Sequence, residues 1–244
     1  MRESLARRVG LIGIPADLAP DTVVAPALLA EVERALLEGD THYTVRAGVP
    51  ELRRRLIEEL AAMGGPRYES LNNTLITTGE AESLFVTLLD FRHNPGIALA
   101  GCALPCRHES LFRLMKLELR RPDDAVPDGG IRLIYREGQA DRGAHETLIG
   151  RTVRGGLVDI LNLGSALASG CPAGIPPYAA DRTLILGSFD ALPGASSFRI
   201  GYLAGPERFT RRAAVWKQAF SICSAAPSQR AVLKALEDRQ KGVR

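Results

Sequence analysis

Two hydrophobic periods alternate along this chain. Short apolar runs at 74–77, 97–100, 131–135, 157–160 and 183–186, bounded by glycine, proline or charged residues, predict buried strands. Between them apolar residues recur every three or four places. The stretch 51–63 sets Leu52, Leu56, Leu60 and Met63 on one stripe, and 26–37 opens on Pro26, a residue suited to the first helical position. Further helices are predicted at 109–117, 145–151 and 206–220, and another opens at Gly79. Strands alternating with helices predict an α/β fold, a mostly parallel sheet sandwiched by helices. The piece 170–178, rich in Pro and Gly, reads as a loop, and no repeat, heptad or low-complexity tract interrupts the pattern.

Composition adds bounds. A chain of 244 residues, 45% hydrophobic and 24% charged, buries a substantial core, and residues 1–244 are expected to form a single domain. The net charge of +3 comes from scattered arginines such as Arg53-Arg54-Arg55 and Arg211-Arg212, which read as solvated helix faces. Without aromatic interleaving they argue against a nucleic-acid partner. Cys102, Cys106, Cys171 and Cys223 lack zinc-type spacing, so no metal is expected. With no signal peptide or long apolar span, the expectation is a cytoplasmic protein with reduced thiols and no membrane partner. The four lysines, Lys116, Lys217, Lys234 and Lys241, read as solvated helix positions. His42 and His108 read as loop or cap residues.

One turn carries candidate chemistry. Leu75-Ile76-Thr77-Thr78-Gly79 leads into a helix whose free N–H groups and dipole favour an anion at Gly79, Glu80 and Ala81. Glu80 and Glu82 compete for that dipole, which favours a self-capped helix. Arg199 reads equally as a phosphate clamp or as a surface ion-pair partner.

The segment Leu184-Ile185-Leu186-Gly187-Ser188-Phe189-Asp190-Ala191, with Arg199 eight residues on, resembles the signature of the fold-type I, class I/II aminotransferases. In that family an apolar strand ends in S-x-S-K, the lysine forms the Schiff base with pyridoxal phosphate, and the later arginine binds the cofactor phosphate. Here Ser188 and Arg199 match, Asp190 replaces the second serine, and Ala191 holds the lysine position. A methyl group neither condenses with an aldehyde nor moves a proton. Related sugar dehydratases carry histidine there, and alanine lacks even that base. The resemblance also covers Gly13-Ile14-Pro15-Ala16-Asp17, the Tyr43 element with Gly48 and Leu52-Arg53, the Gly79 turn, and 221–229. It implies a partner-reaching role for Tyr43, phosphate binding at Gly79, Glu80, Ala81, Ser188 and Arg199, and a ring-nitrogen carboxylate at Asp159. Asn162 falls where the family has a ring-oxygen tyrosine, Arg107 where an aromatic stacks, and 140–143 where the family has N-P-T-G.

The resemblance spans the family's large domain, with the N-terminal arm largely missing and the C-terminal small domain, including its carboxylate-binding arginine, absent. Arg230 is not placed to replace that arginine. Two readings of the surviving phosphate-end residues are open: a pocket for an anionic ligand, or positions kept for capping and ion pairing. The expected function is a degenerate pseudoenzyme acting as a binding, scaffolding or regulatory subunit, with pyridoxal phosphate bound noncovalently at best. The alternative is a pyridoxal-phosphate-binding enzyme with weak or partner-dependent activity on an amino acid. A trimmed or deliberately mutated active enzyme is disfavoured, because several ring-contacting residues differ at once. The family's shared dimer face implies a homodimer or another protein subunit as partner.

Overall fold

The structure, a computed structural model, describes residues 24–93, 96–100, 108–120, 132–137, 157–164, 167 and 180–242. The strands are β1 (Thr74–Thr77), β2 (Gly96–Ala100), β3 (Glu118–Arg120), β4 (Arg132–Glu137), β5 (Leu157–Asn162), β6 (Thr183–Ser188) and β7 (Gly201–Ala204). They form one sheet in the order β1-β7-β6-β5-β4-β2-β3. Pairing is parallel from β6 through β5, β4 and β2 to β3, while β7 runs antiparallel between β1 and β6. The predicted mostly parallel sheet is therefore present, and the five anticipated strands all form. The pattern missed β3 and β7, each four residues or fewer.

Six helices of the described chain cover the sheet: α1 (Pro26–Leu37), α2 (Pro50–Ala62), α3 (Gly79–Asp90), α4 (Glu109–Leu114), α5 (Glu207–Phe220) and α6 (Ala226–Gln240). Three of them, α1, α2 and α6, carry proline in the first turn, where the missing N–H costs nothing. The predicted helix at 145–151 and the loop at 170–178 lie outside the described residues.

Strand alternation divides the core into two clusters. Ile76, Leu161, Ile185 and Tyr202 face one side with Leu52, Leu56 and Leu60 of α2 and Val232 and Leu236 of α6. Leu75, Ile160, Leu184, Leu186 and Leu203 face the other with Leu84 and Leu88 of α3, Phe112 of α4 and Ala213 of α5. The predicted stripe is buried throughout, with Leu52, Leu56 and Leu60 fully inaccessible. Truncating any of them to alanine removes about 2–5 kcal/mol.

Two charged residues depart from their predicted solvation. Arg53 is buried, donating to the Leu71 carbonyl and to Thr74 Oγ1, and burial holds its guanidinium below the usual range. Lys217 is fully buried on α5, facing α3, because it shares a stripe with Thr210, Ala213 and Ala214.

Candidate functional site

Three backbones meet at one edge of the sheet. Thr77 at the end of β1 and Ser188 at the end of β6 both pair with Gly201, the first residue of β7, so the three form a single row. Gly79 follows Thr77 by two residues, Ala191 follows Ser188 by three, and Arg199 precedes Gly201 by two. Four of the residues anticipated from sequence thus converge here. The approach is close enough that only glycine fits at 201, since a Cβ there would overlap the Gly79 carbonyl group. Thr77 Oγ1 and Ser83 Oγ, 2.6 Å apart, and the Ser83 hydroxyl donating to Tyr202 O at 2.9 Å pin β1, α3 and β7 together.

Arg199 adopts a left-handed backbone (φ 54°), which turns its side chain back over the start of α3. A Cβ on Gly79 would stand 3.2 Å from Arg199 Nη2. Its Nη1 donates to Asp190 Oδ2 at 3.3 Å. Ser188 is buried and its Oγ accepts from Asp190 N at 3.4 Å, while Ala191 is exposed.

The first turn of α3 is capped by its own carboxylate. Glu82 Oε2 accepts the Thr78 N–H at 2.5 Å, a variant of the capping box. The same carboxylate takes Lys217 Nζ at 2.8 Å and the Ser221 hydroxyl at 2.5 Å. Burial pushes the Glu82 carboxyl up, but these three donors and the Lys217 charge outweigh it and hold the group below its ordinary range.

Beside Arg199 lies a buried polar cluster that sequence reasoning did not assemble. His108 Nε2 lies 3.2 Å from Glu80 Oε1 and 3.3 Å from Asn162 Nδ2. Asn162 Nδ2 also donates to Tyr135 Oη at 2.9 Å, and its Oδ1 accepts Gly164 N at 2.8 Å. The His108 Nε2 atom either gives a proton to Glu80 or accepts from the Asn162 amide; it cannot do both. Asn162, His108 and Tyr135 are buried, so this network fixes the open ends of β4 and β5.

Of the other anticipated residues, Glu80 and Ala81 sit in the first turn of α3 beside Gly79, and Asn162 ends β5. Asp159 pairs with Thr183 at the start of β6 and lies three residues, about 10 Å of strand, back from Asn162. An odd offset also turns it to the opposite sheet face. Asn162, at the position the resemblance gives to tyrosine, ends β5 with an amide. Tyr43 is exposed on a hollow of about 600 Å³ that it lines with His42, Ser224 and Pro227, and Ser224 Oγ lies 3.4 Å from Thr78 Oγ1. Ala81 is exposed on α3. Arg230 is committed elsewhere, to Glu31, Glu38 and Asp40. Arg107 and the 140–143 turn lie outside the described residues. Among the described residues no group of three or more His, Cys, Asp or Glu could hold a metal ion.

No family model matches the sequence, and no curated protein matches it. Solved structures do. The N-succinyldiaminopimelate aminotransferase of Mycobacterium tuberculosis superposes with a TM-score of 0.74 at 18% identity over 99% of this chain and 70% of that one. An Escherichia coli protein with a methionine aminotransferase function gives 0.73 at 16% identity, covering 99% and 70%. The aspartate aminotransferase of Thermus thermophilus gives 0.71 at 21% identity, covering 91% and 64%. This chain has the aminotransferase fold. It spans about two thirds of the length of these structures.

The cofactor that the aminotransferase fold implies, pyridoxal phosphate, is not matched by the residues at this edge. The position after Ser188-Phe189-Asp190 offers a methyl group, the arginine is already paired to a carboxylate, and the Glu82 carboxylate takes the Thr78 N–H at the positive end of α3.

Proposed function

We propose that this chain is a degenerate, non-catalytic aminotransferase-fold protein that serves as a binding, scaffolding or regulatory subunit. The observation that carries the reading is Ala191, on the first residues beyond β6, within the same edge as Gly79, Ser188 and Arg199. Gly79, Ser188 and Arg199 surround it, yet the position that supplies the amine in the resembled family supplies none here. The sequence alternative, an enzyme with weak or assisted activity, draws support from Ser188, Gly79 and Arg199 standing together, and the same experiment separates the two.

The subunit role is supported by apolar residues left open to solvent. Leu37 is 82% and Tyr43 78% exposed; Leu36 and Leu37 close α1, Tyr43 and Val45 follow on the connection to α2, and Phe220 and Ile222 are exposed at the end of α5. Such residues favour a homodimer or another protein as partner. No helix among the described residues is long and apolar enough to cross a membrane.

The test is amino-group transfer. Purified protein with excess pyridoxal phosphate, a panel of amino donors and 2-oxoglutarate should form no keto acid above the cofactor-only rate. Turnover above that rate, abolished by heating the protein, overturns the reading.

A further inference from the structure

We infer that the phosphate cradle of this fold is filled from within by the chain's own carboxylates, and that phosphate-bearing ligands are thereby shut out. The first occupant is Asp190. Its carboxylate takes Arg199 Nη1 at 3.3 Å, and it stands where the resembled family has the second serine of S-x-S-K. The guanidinium, held above Gly79 by the left-handed backbone at 199, is therefore neutralised in the place where an anion would meet it.

Glu82 is the second occupant. It takes up the Thr78 N–H at the positive end of α3 and is itself balanced by the buried ammonium of Lys217. Glu80 is the third, one residue into the same turn and 3.2 Å from His108. Among the described residues, two cations, Arg199 and Lys217, and the His108 imidazole face three carboxylates, Glu80, Glu82 and Asp190. A phosphate dianion entering this edge adds charge to a ring that is already acidic. The Arg199–Asp190 pair is half open to solvent and weak by itself, so exclusion depends on the sign of the whole ring and not on the strength of that pair. Asp190 is the occupant best suited to a test, since it is less embedded in the helix cap than Glu82.

The test is calorimetric titration at low ionic strength with pyridoxamine 5′-phosphate and, separately, with inorganic phosphate. The wild-type chain should show no saturable binding of either up to about 1 mM. Asp190→Ser, and Asp190→Asn, which keeps the shape and removes the charge, should bind both at least about tenfold more tightly. An Asp40→Asn variant, remote from this edge, should remain like the wild type. Micromolar binding by the wild-type chain overturns the inference, as does unchanged affinity in folded Asp190→Asn. The inference stands apart from the non-catalytic reading: binding without turnover sinks the first and leaves the second, whereas turnover sinks both.

Discussion

Lys217 and Glu82 govern how the start of α3 responds to mutation and to pH. Lys217 is fully buried, so Lys217→Ala leaves a nearly buried carboxylate without its countercharge and should cost about 3 kcal/mol in urea unfolding. Lys217→Met with Glu82→Gln removes both charges and should recover most of that loss. A double variant as unstable as the single one would contradict the pairing. The folded-state pKa of Glu82 is depressed, so its contribution is present above the ordinary carboxylate range and is lost as pH falls through the lower folded value. The stability gap between wild type and Glu82→Gln should therefore be widest above the ordinary carboxylate range and narrow as pH falls below it. A gap that stays constant would refute the assignment. Gly201→Ala should lower stability by about 2–3 kcal/mol, because the obstructing atoms are Gly79 backbone and cannot swing aside.

Among the elements, α1 and α6 are tied by one side chain. Arg230 on α6 donates from Nε to Glu31 at 3.0 Å and from Nη1 to Glu38 and Asp40 at 2.9 and 2.5 Å. The Asp40 bond above all raises its pKa beyond the ordinary guanidinium value. Arg230→Ala should cost about 1–2 kcal/mol, and Arg230→Lys should restore less than half, since an ammonium cannot fork to three carboxylates. Full recovery by lysine, measured by thermal unfolding, would show that charge alone matters there.

Element positions were legible wherever one face of the pattern was buried. The α2 stripe and the β1 and β6 runs needed only local spacing, whereas β7 is four residues long and owes its strand form to β1 and β6 on either side. Lys217 carried a readable signal, since it lies at helical spacing from Ala213 and Ala214, but its charge disguised it. His108 carried none. Its place is set by Glu80, Asn162 and Tyr135, which are 28, 54 and 27 residues away in the chain, and only the assembled sheet brings them together. Asp159 lies buried within β5, and Asn162, at the position the resemblance gives to tyrosine, ends that strand two residues beyond the predicted run.

The assembled chain presents apolar side chains at the end of α1, on the α1–α2 connection and at the end of α5. Light scattering at micromolar concentration should give at least a dimer, and Leu37→Glu with Tyr43→Glu should shift it toward monomer. A wild-type chain that is monomeric under those conditions contradicts the subunit role.

The central claim is that no lysine of this chain serves as a covalent anchor. Borohydride trapping after incubation with pyridoxal phosphate, followed by peptide mapping, tests it most directly. The account predicts scattered, substoichiometric labelling, led by the exposed Lys116 and Lys241, with Lys217 untouched. Stoichiometric labelling of a single lysine, suppressed by competing phosphate, would show an anchored cofactor and contradict the account.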